Sequence, residues 1–235
     1  MNIRFHSYTH VGGRPNNEDS YYAGQNGDLC LFVVADGLGG HDSGEVASAI
    51  AANELKDRFL REGCRFQIEE AILAANEKIL ETQRETGLNM KTTVTAVFVN
   101  GETTVVANVG DSRSYAFRGR EIAFQSVDHS AAQMAVNVGE ITPAEIRGHE
   151  DRNILTRALG ASANVKIDLF ELPASSYDSL LLCSDGFWEY VLEDEMIDTK
   201  EKAPYPSDWL NRMRNLLRKR VPEGHDNNTA IVVMC

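Results

Sequence analysis

Three short apolar runs, each with an aspartate at or beside one end, constrain this chain more than any other feature in it. Leu31-Phe32-Val33-Val34-Ala35 leads into Asp36, and Leu180-Leu181-Leu182-Cys183-Ser184 leads into Asp185. Asp226 stands just ahead of Thr229-Ala230-Ile231-Val232-Val233. Short, nearly continuous apolar runs of this length read as buried strands. Carboxylates brought to the ends of buried strands from distant parts of a sequence suit an oxygen-donor site for a hard cation.

The rest of the pattern supplies a β scaffold with helices around it. Strands are expected at 3–8, 19–23 and 30–35, followed by a helix. Asp42-Ser43-Gly44-Glu45 offers that helix a capping box, and Ala47, Ile50, Ala51, Leu55 and Phe59 make its apolar face. A second helix is expected over 66–86, with Ile68, Ile72, Ala75 and Ile79 at helical spacing and Gly87 as its stop. The period then switches from helical to alternating. Two β-branched runs, 92–99 and 103–109, flank Asn100-Gly101, a strong hairpin signal. A second hairpin turns at Gly119, between 113–118 and 121–127. Thr142-Pro143 begins a helical turn, strands resume at 165–172 and 179–183, a helix covers 206–219, and a strand closes the chain at 228–234. With hairpins outnumbering crossovers, the expected fold is α+β: two packed, mainly antiparallel sheets in a β-sandwich flanked by α-helices. No linker or internal repeat divides the chain, so residues 1–235 are expected to form one domain.

The net charge is −12, and no long basic run offsets it. Nucleic acid and anionic membrane are therefore not the expected partners. Cys30, Cys64, Cys183 and Cys235 form no C-x-x-C pair, and they read as free thiols in a reducing compartment. No segment has the apolar length of a signal peptide or a membrane span, so the expectation is a cytoplasmic protein.

Asp36 is followed by Gly37-Leu38-Gly39-Gly40-His41, and Asp185 by Gly186. A glycine after the aspartate lets the backbone turn sharply, so that its carbonyl can ligate beside the carboxylate. A lone Asp-Gly is a common turn. Asp36, Asp111, Asp185 and Asp226 at comparable strand ends, with Asp19 in Asn16-Asn17-Glu18-Asp19, make a stronger case. The donors are all oxygens and no Cys or His pair has zinc spacing, so Mg²⁺ or Mn²⁺ fits. Two such ions sharing an aspartate activate water against a phosphate ester, and Arg14 is placed to grip phosphate oxygens.

These segments together resemble the metal-dependent serine/threonine protein phosphatases of the protein phosphatase 2C (PPM) family, in their compact bacterial form. The resemblance spans nearly the whole chain, in family order. It runs through Arg14–Asp19, Val34–His41, Gly44-Glu45, Thr92-Thr93, Asn108–Arg113, Asp128-His129-Ser130, Asn153–Gly160, Ser184-Asp185-Gly186 and Asp226–Thr229. It implies hydrolysis of phosphoserine and phosphothreonine in proteins by metal-bound hydroxide, without a phosphoenzyme, opposing a bacterial Ser/Thr kinase. Asp36 is then the bridging ligand, Gly37 contributes its carbonyl, Asp185 and Asp226 complete the second ion's shell, and Asp19 acts on that shell. Asp128 with Asp185 matches a third-metal position, Asp111 is either structural or stands just behind the metal ligands, and Arg14 receives the substrate phosphate. The Leu38 position carries histidine in eukaryotic relatives. His41 is either a proton donor or a hydrogen-bond partner of the Gly-rich loop. His129 is expected to shape its loop, and Phe187 and Trp188 to sit in the core. Residues 131–160 match the family's flap. The implied protein is monomeric and acts on phosphorylated proteins. An inactive regulatory module would have lost a metal aspartate, and none is lost. A small-molecule phosphatase on the same chemistry stays open.

Overall fold

The computed structural model describes residues 3–38, 43–101 and 103–235. The strands are β1 (Arg4–His10), β2 (Asp19–Asn26), β3 (Leu29–Leu38), β4 (Lys91–Thr92), β5 (Val94–Asn100), β6 (Thr103–Val109), β7 (Arg113–Arg118), β8 (Glu121–Gln125), β9 (Asp168–Pro173), β10 (Ser179–Cys183) and β11 (Asn228–Met234). The helices are α1 (Gly44–Glu62), α2 (Ile68–Thr86), α3 (Ala131–Asn137), α4 (Asp185–Trp188), α5 (Glu193–Glu201) and α6 (Pro206–Leu217).

All strand pairs are antiparallel and they form two sheets. One runs β1-β11-β10-β7-β8, the other β2-β3-β5-β6-β9 with the short β4 also on β3. The alternation of side chains along a strand explains the layering. On β3, Cys30, Phe32 and Val34 face the other sheet, meeting Leu180, Leu182, Ile231 and Val233. Leu31, Val33 and Ala35 face the opposite way, under Ala47, Leu55, Phe59 and Ile72 of α1 and α2. Leu181, Cys183, Ala230 and Val232 likewise pack under Trp209, Leu210 and Met213 of α6. Central strands apolar on both faces are what a four-layer helix–sheet–sheet–helix stack requires.

The sandwich therefore matches the sequence expectation, with local differences. The short α4 and the acidic α5 carry no apolar periodicity and were not foreseen. Residues 143–148 form a 3₁₀ rather than an α turn, though Glu145 does accept both the backbone N–H (2.7 Å) and the hydroxyl (2.8 Å) of Thr142. The expected capping box before α1 includes Asp42, which lies outside the described residues. Ser43 at that N-cap makes no side-chain capping bond. Gly87 ends α2 in the left-handed region, at φ 73°, as expected. All four cysteines are free, Cys30 and Cys183 buried. No helix among the described residues is long and apolar enough to cross a membrane.

Candidate active site

At one end of the sandwich the strand ends from both sheets surround a cleft of about 320 Å³. Its lining includes Arg14, Glu18, Asp36, Gly37, Asp111, Asp185, Asp226 and Asn227, with Asn153 and Leu155 from the flap. The local structure shows why these residues meet. Asp19 lies directly across the β2–β3 ladder from Asp36. Asp185 follows β10 and Asp226 precedes β11, which are adjacent and antiparallel, so both fall at the same end of the other sheet. Asp19 then crosses between sheets: its Oδ2 accepts a 2.8 Å hydrogen bond from the Ser184 hydroxyl.

Small residues make the approach possible. A side chain at Gly37 would collide with the Gly44 and Glu18 carbonyls, and one at Gly186 with the Asn227 carbonyl. The Asp36 backbone is held on both sides by threonines. Its N–H donates to Thr93 Oγ1 at 3.0 Å, and its carbonyl accepts from Thr92 Oγ1 and the Thr93 N–H, both at 2.9 Å. Asn227 ties the loops together. Its Oδ1 accepts from the Glu18 N–H at 2.7 Å, and its Nδ2 donates to the carbonyls of Val11 at 2.7 Å and Asn16 at 2.9 Å.

The electrostatics are those of carboxylates crowded out of water. Burial pushes Asp19 up to about 7, with Asp185 and Asp226 adding to the shift against the hydrogen bonds from Thr229 and Ser184. Asp185 rises to about 6, from burial first and then the fields of Glu189 and Asp226. Asp36 is raised by burial, then by Asp19, Asp185 and Asp111; Asp111 is raised by burial, then by Asp185 and Asp128. Asp19 Oδ1 and Asp185 Oδ1 are buried with no hydrogen-bond partner. Among the described residues no three His, Cys, Asp or Glu side chains close on one point as a preformed cage. The donor set nevertheless fits hard divalent cations: it is all oxygen, it includes two orphaned buried acceptors, and its members repel one another in the absence of positive charge.

The residues expected from sequence divide as follows. Arg14, Asp36, Gly37, Asp185 and Asp226 line the cleft, and Asp19 is buried beside it. Arg14 donates to Asp226 Oδ2 at 2.7 Å across a half-exposed pair, so the phosphate-gripping candidate is already at the rim. Asp128 needs correction. Arg113 engages both its oxygens, Nε to Oδ1 at 2.8 Å and an Nη to Oδ2 at 2.7 Å, in a buried pair off the cleft lining. Asp111, expected to be structural or to stand just behind the metal ligands, lines the cleft. His41 lies outside the described residues. His129 shapes its loop as expected, its Nδ1 accepting from the Gly110 N–H at 3.1 Å. Phe187 and Trp188 are core, the Trp188 indole N–H donating to the Asp111 carbonyl at 2.9 Å. Glu18, Asn153, Leu155 and Asn227 lie inside the quoted motifs but were given no role of their own.

The sequence pattern of the Protein phosphatase 2C family matches residues 8–225. The chain belongs to this family. It is a serine/threonine phosphatase of that type. The serine/threonine phosphatase stp of Listeria welshimeri is 37% identical over 230 residues, 94% of this chain and 90% of that protein. The crystal structure of Stp1 from Staphylococcus aureus superposes with a TM-score of 0.92 at 33% identity, covering 100% of this chain and 96% of that one. The catalytic domain of the phosphatase PstP, solved in complex with two manganese ions, superposes at 0.83 with 30% identity, covering 99% and 97%.

Proposed function

We propose that the cleft hydrolyses phosphoserine and phosphothreonine in proteins at a binuclear Mn²⁺ or Mg²⁺ centre. Residues 1–235 act as one catalytic domain opposing a Ser/Thr kinase in the cytoplasm. The observation that carries this reading is the crowding of Asp19, Asp36, Asp111, Asp185 and Asp226, with buried oxygens of Asp19 and Asp185 lacking any partner.

Asp36 would be shared between the ions, with the Gly37 carbonyl on one and Asp185 and Asp226 on the other. Asp19, held by Ser184, would act on that shell, and Asp111 is the better-placed carboxylate for any additional cation. Such cations, when bound, supply an activated water and neutralise the phosphoryl oxygens. Arg14 orients the phosphate through a bidentate fork and stabilises the charge that spreads over its oxygens during transfer. Asn153 and Leu155 narrow the entrance from the flap side. The Thr92-Thr93 clamp holds Asp36 so that little reorganisation accompanies reaction. Water adds at phosphorus as the seryl or threonyl oxygen leaves and takes up a proton.

The test is phosphate release from a phosphothreonine peptide with Mn²⁺, with Mg²⁺ and with EDTA, alongside Asp36→Asn. Release that needs a metal and disappears in the variant supports the reading. Release that persists in EDTA, or in folded Asp36→Asn at the wild-type rate, rules it out.

A further inference from the structure

The chain carries a charge of −12, yet five of the nine residues from Arg212 to Arg220 are basic. Arg220 is committed, gripping Glu195 through both terminal nitrogens. Arg212, Arg214, Arg218 and Lys219 pair with no carboxylate among the described residues. Arg214 donates to Asn211 Oδ1 at 3.1 Å and engages the Tyr8 side chain, and its Nε is buried without a partner. An uncompensated basic strip on an acidic protein is a feature of the surface field, and its position decides what it can do.

Two contacts give that position. Arg4 lies 5.6 Å from the Tyr205 ring, and Arg214 lies 3.9 Å from the Tyr8 ring. Four residues of strand and nine of helix each span about 13 Å, so α6 runs alongside β1 in the same direction. Arg218, one turn beyond Arg214, therefore sits toward the His10 end of β1, and its field is felt at Tyr8. From there β1 leads through Val11, Gly12 and Gly13 to Arg14 at the cleft. The link is also direct: the Tyr8 hydroxyl donates to Asn228 Oδ1 at 2.8 Å, and Asn228 Nδ2 donates to the Asp226 carbonyl at 3.1 Å. β1 is an edge strand with Arg4, His6 and His10 exposed, so an extended segment leaving the cleft has a basic path beside it.

We propose that Arg214, Arg218 and Lys219 form a docking strip for an acidic segment flanking the phosphorylated residue of a protein substrate. This rests on the phosphatase reading and adds a substrate class to it. The strip lies within reach of the cleft and is a surface that attracts acidic side chains. Exposed charges act weakly one by one and are screened by salt, so the effect belongs in KM, is of order ten-fold for several pairs, and fades at high ionic strength.

The experiment measures kcat and KM of the Mn²⁺-loaded enzyme on three phosphothreonine peptides, with acidic, alanine or lysine flanks, in low and high salt. The same set is run on Arg218→Glu/Lys219→Glu, with p-nitrophenyl phosphate as a flankless control. The expected result is a roughly ten-fold higher kcat/KM for the acidic peptide over the alanine one, expressed in KM. High salt and charge reversal should abolish it, with p-nitrophenyl phosphate turnover equal in both proteins. Equal use of acidic and alanine peptides at low salt overturns the proposal, as does a preference that survives charge reversal. If wild type fails on p-nitrophenyl phosphate as well, the phosphatase reading falls and the docking strip with it.

Discussion

The crowded carboxylates make a prediction about the metal-free protein that is independent of turnover. Asp19 is buried, one of its oxygens has no partner, and its pKa stands at about 7 against 3.8 in an unfolded chain. Between those two values the folded chain holds a proton that the unfolded chain has lost. Stability from this group is therefore fully present below pH 3.8 and drains away as pH rises through 7. Each pH unit over which folded and unfolded chains differ by one proton is worth about 1.4 kcal/mol, so Asp19 alone favours pH 5 over pH 7 by about 2 kcal/mol. Asp185, at about 6, pushes the same way. His129, which burial holds below its ordinary value, pushes against it, because it resists protonation in the fold.

The difference between wild type and Asp19→Asn reads Asp19 together with its contribution to the Asp36 shift, and His129 is common to both. Urea unfolding in EDTA at pH 5 and pH 7 would measure it. Wild type should lose about 2 kcal/mol more than Asp19→Asn on going from pH 5 to pH 7, or roughly 1 M in midpoint for an m near 2 kcal/mol/M. Excess Mn²⁺ should reverse the wild-type trend, because ligation needs deprotonated carboxylates and stabilises the fold by mass action. If the two proteins show the same pH slope in EDTA, the claim that Asp19 is a strained, desolvated acid is wrong.

Other consequences can be checked separately. Arg14→Ala should lower kcat/KM on a phosphothreonine peptide by about 10–100-fold, the worth of one charge-assisted contact, while calorimetry finds Mn²⁺ affinity nearly intact. An equal collapse of metal affinity would contradict its role. Asp128→Asn should change Mn²⁺ binding little but cost stability, since it leaves the Arg113 guanidinium buried against Trp188 with half its partner removed. Arg113→Ala should cost about 3–5 kcal/mol in chemical denaturation by stranding Asp128. Asp111→Asn should do the reverse of Asp128→Asn, weakening metal binding at high occupancy with little loss of fold; the opposite pattern restores Asp128 to the site. Asn227→Ala, which cuts three loop ties, should raise KM and lower the melting temperature together.

The sandwich was legible because its signals are local and repeated. The unbroken apolar runs of β3, β10 and β11 are written in consecutive residues, and the Asn100-Gly101 turn joins its hairpin at the expected place. The cleft aspartates were legible for a related reason: a strand end is a fixed place in a sandwich, so an aspartate there is placed before any tertiary contact is known. What was illegible depends on which partner a side chain finds. Asp111 and Asp128 both follow β segments and both are polar, and nothing within either motif says which one faces the cleft. The decision is made by Arg113, buried on β7 and stacked 3.5 Å from the Trp188 ring. A buried guanidinium without a carboxylate would cost more than the fold can spare, so it captures Asp128 and leaves Asp111 to the site. Trp188 completes the arrangement by holding the Asp111 carbonyl. One α4 residue therefore braces both outcomes, and α4 was the element whose four residues were too few to show a period. The acid at the cleft was selected by a cation and an indole on elements remote in sequence, a dependence that only the assembled fold displays.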